Sequence, residues 1–184
     1  PSLVVVAHLS VAFILVASMS AVTQKLLSPG KSIFPVWLRS IGFLSLLTVI
    51  GQSLLGSRVA TSWAAHRCLD LGDSCNLLGL HRGSALPVSL LVISFVIISS
   101  FQRDLFVDLW PYFLTIIVLV ISQIFLGVFS VQLGMNEPLL VIGHQLVACL
   151  LVAVISALNF KSKGVDRSTQ SLFINQSTLE TCHG

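Results

Sequence analysis

The sequence predicts an all-α membrane protein, a polytopic bundle of five transmembrane helices, and three observations carry that prediction. Hydrophobic residues make up 55% of the chain and charged residues only 9%, against roughly a quarter charged in ordinary soluble domains. The apolar residues gather into five segments, at 2–24, 38–57, 79–101, 111–133 and 139–160, each near the ~20 residues a helix needs to cross the hydrocarbon. Within the segments they run without the period-two alternation of a transmembrane barrel strand.

Taken in order, residues 1–27 form a first unit with His8 near its start, and 28–37 a short connection bearing Lys31. Residues 38–57 end in QSLLG (Gln52 to Gly56). Residues 58–78 form a long polar loop with Cys68 and Cys75, and 79–101 open on His81. The fourth segment carries QIFLG (Gln123 to Gly127) and leads through a tight turn around Asn136, Glu137 and Pro138 to the fifth, which holds His144. Residues 161–184 are a polar tail without apolar periodicity. The chain starts at Pro1 with a helix whose histidine has no preceding partner, so it reads either as lacking an N-terminal part or as a processed chain.

Charge sets the expected orientation. If the segments alternate in direction, Lys25, Lys31, Arg39, Arg103, Lys161, Lys163 and Arg167 share one side and Arg58, Arg67 and Arg82 the other. The seven-charge side, with the C-terminus, is then cytoplasmic, and the net charge of +3 is a matter of membrane orientation and not of nucleic-acid binding.

Polar residues inside the apolar segments are the functional signal. His8, His81 and His144 each have an alanine four residues later (Ala12, Ala85, Ala148), in HLSVA, HRGSA and HQLVA. Residues four apart share a helix face, so the alanine leaves room beside each imidazole for something flat and wide. With the orientation above, all three enter from the outer side at similar depth. His81 and His144 have the placement of two axial ligands to one haem iron held between helices, and Arg82 could neutralise a propionate at the water boundary. The blander reading makes each histidine a hydrogen-bonding contact to a neighbouring helix.

The order Q-x-x-L-G, loop, H-x-x-x-A occurs twice, so helix pairs are the repeating unit; the small glycines allow close helix approach, and the glutamines can bond across helices or to a ligand. Cys68 and Cys75 lie on the oxidising side and are close enough to form a disulfide; a metal site recruiting His66 and Asp70 or Asp73 fits the spacing less well. Cys149 reads as an apolar packer, Cys182 has no evident partner, and His66 and His183 read as solvated. There is no H-E-x-x-H, G-x-S-x-G or glycine-rich phosphate loop, and the five segments as drawn contain no Asp or Glu for a proton relay.

The succession VVVAHLSVAF, WLRSIGFLSLLTVIGQSLLG, a cysteine-pair loop, LHRGSALPV, ISQIFLGVFSVQLG and VIGHQLVACLLVA resembles haem A synthase, particularly its cyanobacterial branch, over roughly residues 1–160. The resemblance implies two pseudo-symmetric four-helix halves. Residues 38–160 would be the complete C-terminal half, and residues 1–27 the last helix of the N-terminal half. It implies that His81 and His144 ligate a b-type haem, that His8 is a ligand of the substrate haem O, and that Cys68 and Cys75 form the outer-loop disulfide. The family's activity is oxidation of a methyl group of haem O to a formyl, giving haem A for terminal oxidases.

Implied partners are membrane lipid, the haem O synthase that supplies substrate and an electron carrier; a homo-oligomer is compatible. The implied location is a bacterial plasma membrane, or a thylakoid. The acidic residue that the family places near the reacting haem has no counterpart here, so no catalytic residue is assigned, and the fragment alone is expected to bind the b-haem at best. Two other readings remain: a non-catalytic b-type cytochrome and a cofactor-free membrane assembly subunit.

Overall fold

The computed structural model describes residues 2–27, 34–61, 76–133 and 137–161, and these are helical almost throughout. The helices are α1 (Ser2–Leu27), α2 (Val36–Thr61), α3 (Asn76–Ser100), α4 (Arg103–Gln132) and α5 (Pro138–Phe160). All five are long and apolar enough to cross a membrane. The chain is an integral membrane protein. In hydrocarbon a backbone group without a partner costs several kcal/mol, which leaves the helix as the available form for these uninterrupted apolar runs.

The serines and threonines within them do not break the helices, because their hydroxyls return to the carbonyl one turn back. Ser53 Oγ donates to Val49 O at 2.9 Å, Ser99 Oγ to Phe95 O at 2.6 Å and Ser122 Oγ to Val118 O at 2.8 Å. Between α3 and α4 the chain turns at Phe101 and Gln102, whose amides bond back to Ile97 and Ser99 carbonyls. Pro138 opens α5, where its missing N–H would have had no partner in any case.

Helix bounds depart from the sequence segments where polar residues cap an apolar run. α2 continues to Thr61 and α3 begins at Asn76, so both ends of the expected loop 58–78 are helical. The larger correction is α4, which begins eight residues before the expected 111 and spans 30 residues, about 45 Å of helix. It therefore includes Asp104 and Asp108, both engaged in interactions, so the segment is not free of carboxylates. Such a helix is longer than the hydrocarbon and carries its charged first turns into the interface.

α2, α3, α4 and α5 each pack on the next, and α5 closes on α2, giving a four-helix ring; α1 lies outside it against α5 and α2. The ring is solid at one end and hollow at the other. Leu38, Leu46, Phe95, Leu105, Leu109, Phe113, Ile116, Ile155 and Leu158 fill the solid end. Here α5 is buried on nearly every side from Ile155 to Asn159. Trp37 and Trp110 stand exposed at this end, as expected of aromatic side chains at a membrane interface. The hollow end is built from the second half of α2, the first half of α3, the second half of α4 and the first half of α5.

Candidate functional site

The hollow end holds a partly open cavity of about 420 Å³, within the range of small-molecule and cofactor sites. Its walls are largely apolar, with Val49, Val88, Val92, Val120 and Leu151 among them. Both repeated modules converge on it: Gln52, Gly56, His81 and Ala85 from one, Gln123, Gly127, His144 and Ala148 from the other. The convergence follows from topology. Each module is a helix, a connection and an antiparallel helix, and closing α5 on α2 sets the two modules face to face. Arg82 is exposed and lines the same cavity.

The two modules hold their histidines differently. Gln52 Nε2 donates to the carbonyl oxygen of His81 at 2.6 Å and lies 3.2 Å from His81 Nδ1. The Gln52 side-chain oxygen accepts a 2.7 Å bond from Ser84 Oγ, which also reaches the Leu80 carbonyl. The hydrogen bonding across helices expected of the glutamines is thus seen at Gln52.

In the second module the position equivalent to Ser84 is Val147. No hydroxyl is available, and Gln123 Oε1 and His144 Nδ1 are buried without a hydrogen-bond partner, as is Gln145 Nε2 beside them. Three orphaned polar atoms around one wall of a cavity are costly unless a ligand or water meets them. Ser84 and Gln145 were not singled out by the sequence. Ser84 lies inside HRGSA, one turn from His81, and that spacing could have marked it.

His8 is not part of this cavity. It is exposed on α1, on a face turned away from the four-helix ring. Its level in the bundle can nevertheless be read from the α1–α5 contacts. Lys25 near the end of α1 lies over the ring of Phe160 at the end of α5, so the two helices run parallel. Ser20 Oγ donates to Ala153 O and Ser156 Oγ to Ala17 O, pairs separated by 133 and 139 residues. The mean of those two separations, 136, equals 144 minus 8, so His8 stands level with His144.

Cys68, Cys75, His66, Asp70, Asp73, Cys182 and His183 lie outside the described residues. Among the described residues Cys149 is a free thiol and no group of three or more His, Cys, Asp or Glu side chains is assembled. A site for a bare, protein-ligated metal ion is therefore not seen there, whereas a haem needs two axial side chains at most. Compared with known proteins, the chain matches no family model, no curated protein and no solved structure.

Proposed function

We propose that this chain is a membrane haem protein, with His81 and His144 as the axial ligands of one b-type haem, and that it serves as the haem-b half of a haem A synthase. The observation that supports it most is the placement of two histidines, from equivalent positions of a repeated module, on opposite helices around one largely apolar cavity. The fit of residues to group is supported by the orphaned atoms of Gln123, His144 and Gln145, and by Ala85 and Ala148, which keep the space next to each imidazole clear.

When bound, the haem supplies one-electron redox chemistry. The residues of the chain hold and tune it. Gln52 and Ser84 restrain the His81 backbone and ring, the valine and leucine walls would pack on the apolar macrocycle, and the exposed Arg82 at the cavity could neutralise a propionate. The methyl oxidation of haem O belongs to the second site, to which His8 would contribute from the outward face of α1; Cys68 and Cys75 would brace the outer loop, with the C-terminus cytoplasmic. Haem O synthase and an electron carrier are the partners that this role requires.

A second reading, an electron-transferring b-type cytochrome, uses the same cavity and the same pair of histidines. The two readings share the haem and differ in catalysis. The purified chain should show a low-spin Soret band that is lost in His81→Ala and in His144→Ala; a band unchanged in both variants rejects the ligand assignment. Conversion of haem O to haem A in membranes that depend on this chain separates the synthase from the cytochrome.

A further inference from the structure

We infer that Gly56 and Gly127 are positioning residues, each a seat in the helix backbone that receives the imidazole of its own module and fixes the plane of that ring. The inference rests on the haem reading of the cavity and adds to it the residues that set ligand orientation. A Cβ added to Gly56 would lie 2.8 Å from Cε1, 3.2 Å from Nε2 and 3.4 Å from Nδ1 of His81. A Cβ on Gly127 would lie 3.1 Å from Cε1, 3.6 Å from Nδ1 and 3.9 Å from Nε2 of His144. In both, the closest atom is the carbon between the ring nitrogens, so the tip of the ring enters the notch. An imidazole is rigid and cannot bend its tip aside; the whole ring must turn about its χ angles, off its seat.

The other described glycines do not receive a histidine. Gly51, Gly79 and Gly83 have open space where a Cβ would stand, Gly143 meets only Leu126 at 3.9 Å, and Gly42 meets Asn159. The glycine of each Q-x-x-L-G motif thus has a function beyond close helix packing. It couples the first helix of a module to the histidine on the second, so the spacing of the repeat places one seat for each axial ligand. The plane of an axial imidazole governs its overlap with the iron d orbitals, and groups that orient a ligand typically alter metal affinity 10–100-fold when removed.

The test uses the full chain in detergent, titrated with ferric haem, comparing wild type, Gly56→Ala, Gly127→Ala and the control Gly51→Ala. Haem affinity in Gly56→Ala should fall about 10-fold or more, with a shifted low-spin paramagnetic resonance spectrum. Gly127→Ala, where the contact is looser, should shift the spectrum less, and Gly51→Ala should match wild type. A wild-type chain that binds low-spin haem while Gly56→Ala and Gly127→Ala reproduce its affinity and spectrum overturns the seats.

If the wild type takes up no haem, the haem reading falls and the seats are decided by imidazole nuclear magnetic resonance of the same proteins. His81 ring signals should move in Gly56→Ala and His144 signals in Gly127→Ala; unmoved signals in both overturn the seats. Should Gly56→Ala fold poorly, Gly56→Ala/His81→Ala decides. Its thermal midpoint should return to that of His81→Ala, and a loss that persists without the imidazole overturns the seat at Gly56.

Discussion

Two amide side chains, the half-buried Gln52 and the buried Asn159, show how single residues organise opposite ends of this bundle. At the hollow end Gln52 satisfies both ends of its amide through His81 and Ser84. Gln52→Leu should lower the thermal midpoint by the equivalent of about 1–1.5 kcal/mol, because the half-buried His81 carbonyl and ring lose their donor. Ser84→Ala should cost less, on the order of 0.6 kcal/mol, since Gln52 keeps its bond to His81; an equal loss in both variants would show that the amide acts only through the serine.

At the solid end Asn159 is 1% exposed, donates to the Ile155 carbonyl at 2.9 Å and presses its amide against Gly42. Gly42→Ala should destabilise by about 1–3 kcal/mol through overpacking, and Gly42→Ala/Asn159→Ala should recover part of that loss in the same melting assay. Gln52 and Gly56 were legible in the sequence because they recur in a second copy. Gly42 and Asn159 were not, since their pairing exists only once α5 closes on α2, and neither lies in a repeat.

For the elements, apolar length gave the right number of helices but not their ends. Hydropathy falls at Asp104 and Asp108, whereas the helix continues, since backbone hydrogen bonding persists through the interface where charged side chains reach water. The attachment of α1 is a different matter, because its sequence is apolar on all sides and offers no stripe to mark the packed face. In the structure α1 is held by Phe13, which is fully buried, and by two reciprocal bonds, Ser20 of α1 donating to Ala153 O of α5 and Ser156 of α5 donating to Ala17 O of α1.

The two contributions differ in expected size. Interhelical hydrogen bonds in membranes average about 0.6 kcal/mol each, whereas truncating a buried phenylalanine costs about 3–5 kcal/mol. Phe13→Ala should therefore lower the thermal midpoint more than Ser20→Ala and Ser156→Ala combined. The reverse order would mean that the hydroxyls, and not packing, seat α1 on the bundle.

The whole molecule divides into a packed half and a hollow half, and this division could not be seen in the sequence, where apolar residues are spread almost evenly along every span. What the sequence did show was which end carries polar groups, since every H-x-x-x-A and Q-x-x-L-G motif falls at the same ends of alternating segments. Most of the described basic residues fall at the opposite ends. Lys25, Arg39, Arg103 and Lys161 all stand at the solid end of the bundle, and Arg58 and Arg82 at the hollow end.

An excess of Lys and Arg near the ends of short connections holds that side in the cytoplasm. The solid end should therefore face the cytoplasm, and the cavity should open toward the opposite side. Because five spans place the two ends of the helical region on opposite sides, a fluorescent protein that matures only in the cytoplasm should be bright when fused after Gly184, and an alkaline phosphatase that needs an oxidising compartment should be inactive there. The same phosphatase inserted between Thr61 and Asn76 should be active. Replacing Lys25, Arg39 and Lys161 by Gln together should weaken this preference and give a mixed population, whereas replacing Arg58 and Arg82 should not, because those charges oppose the orientation that the other three set.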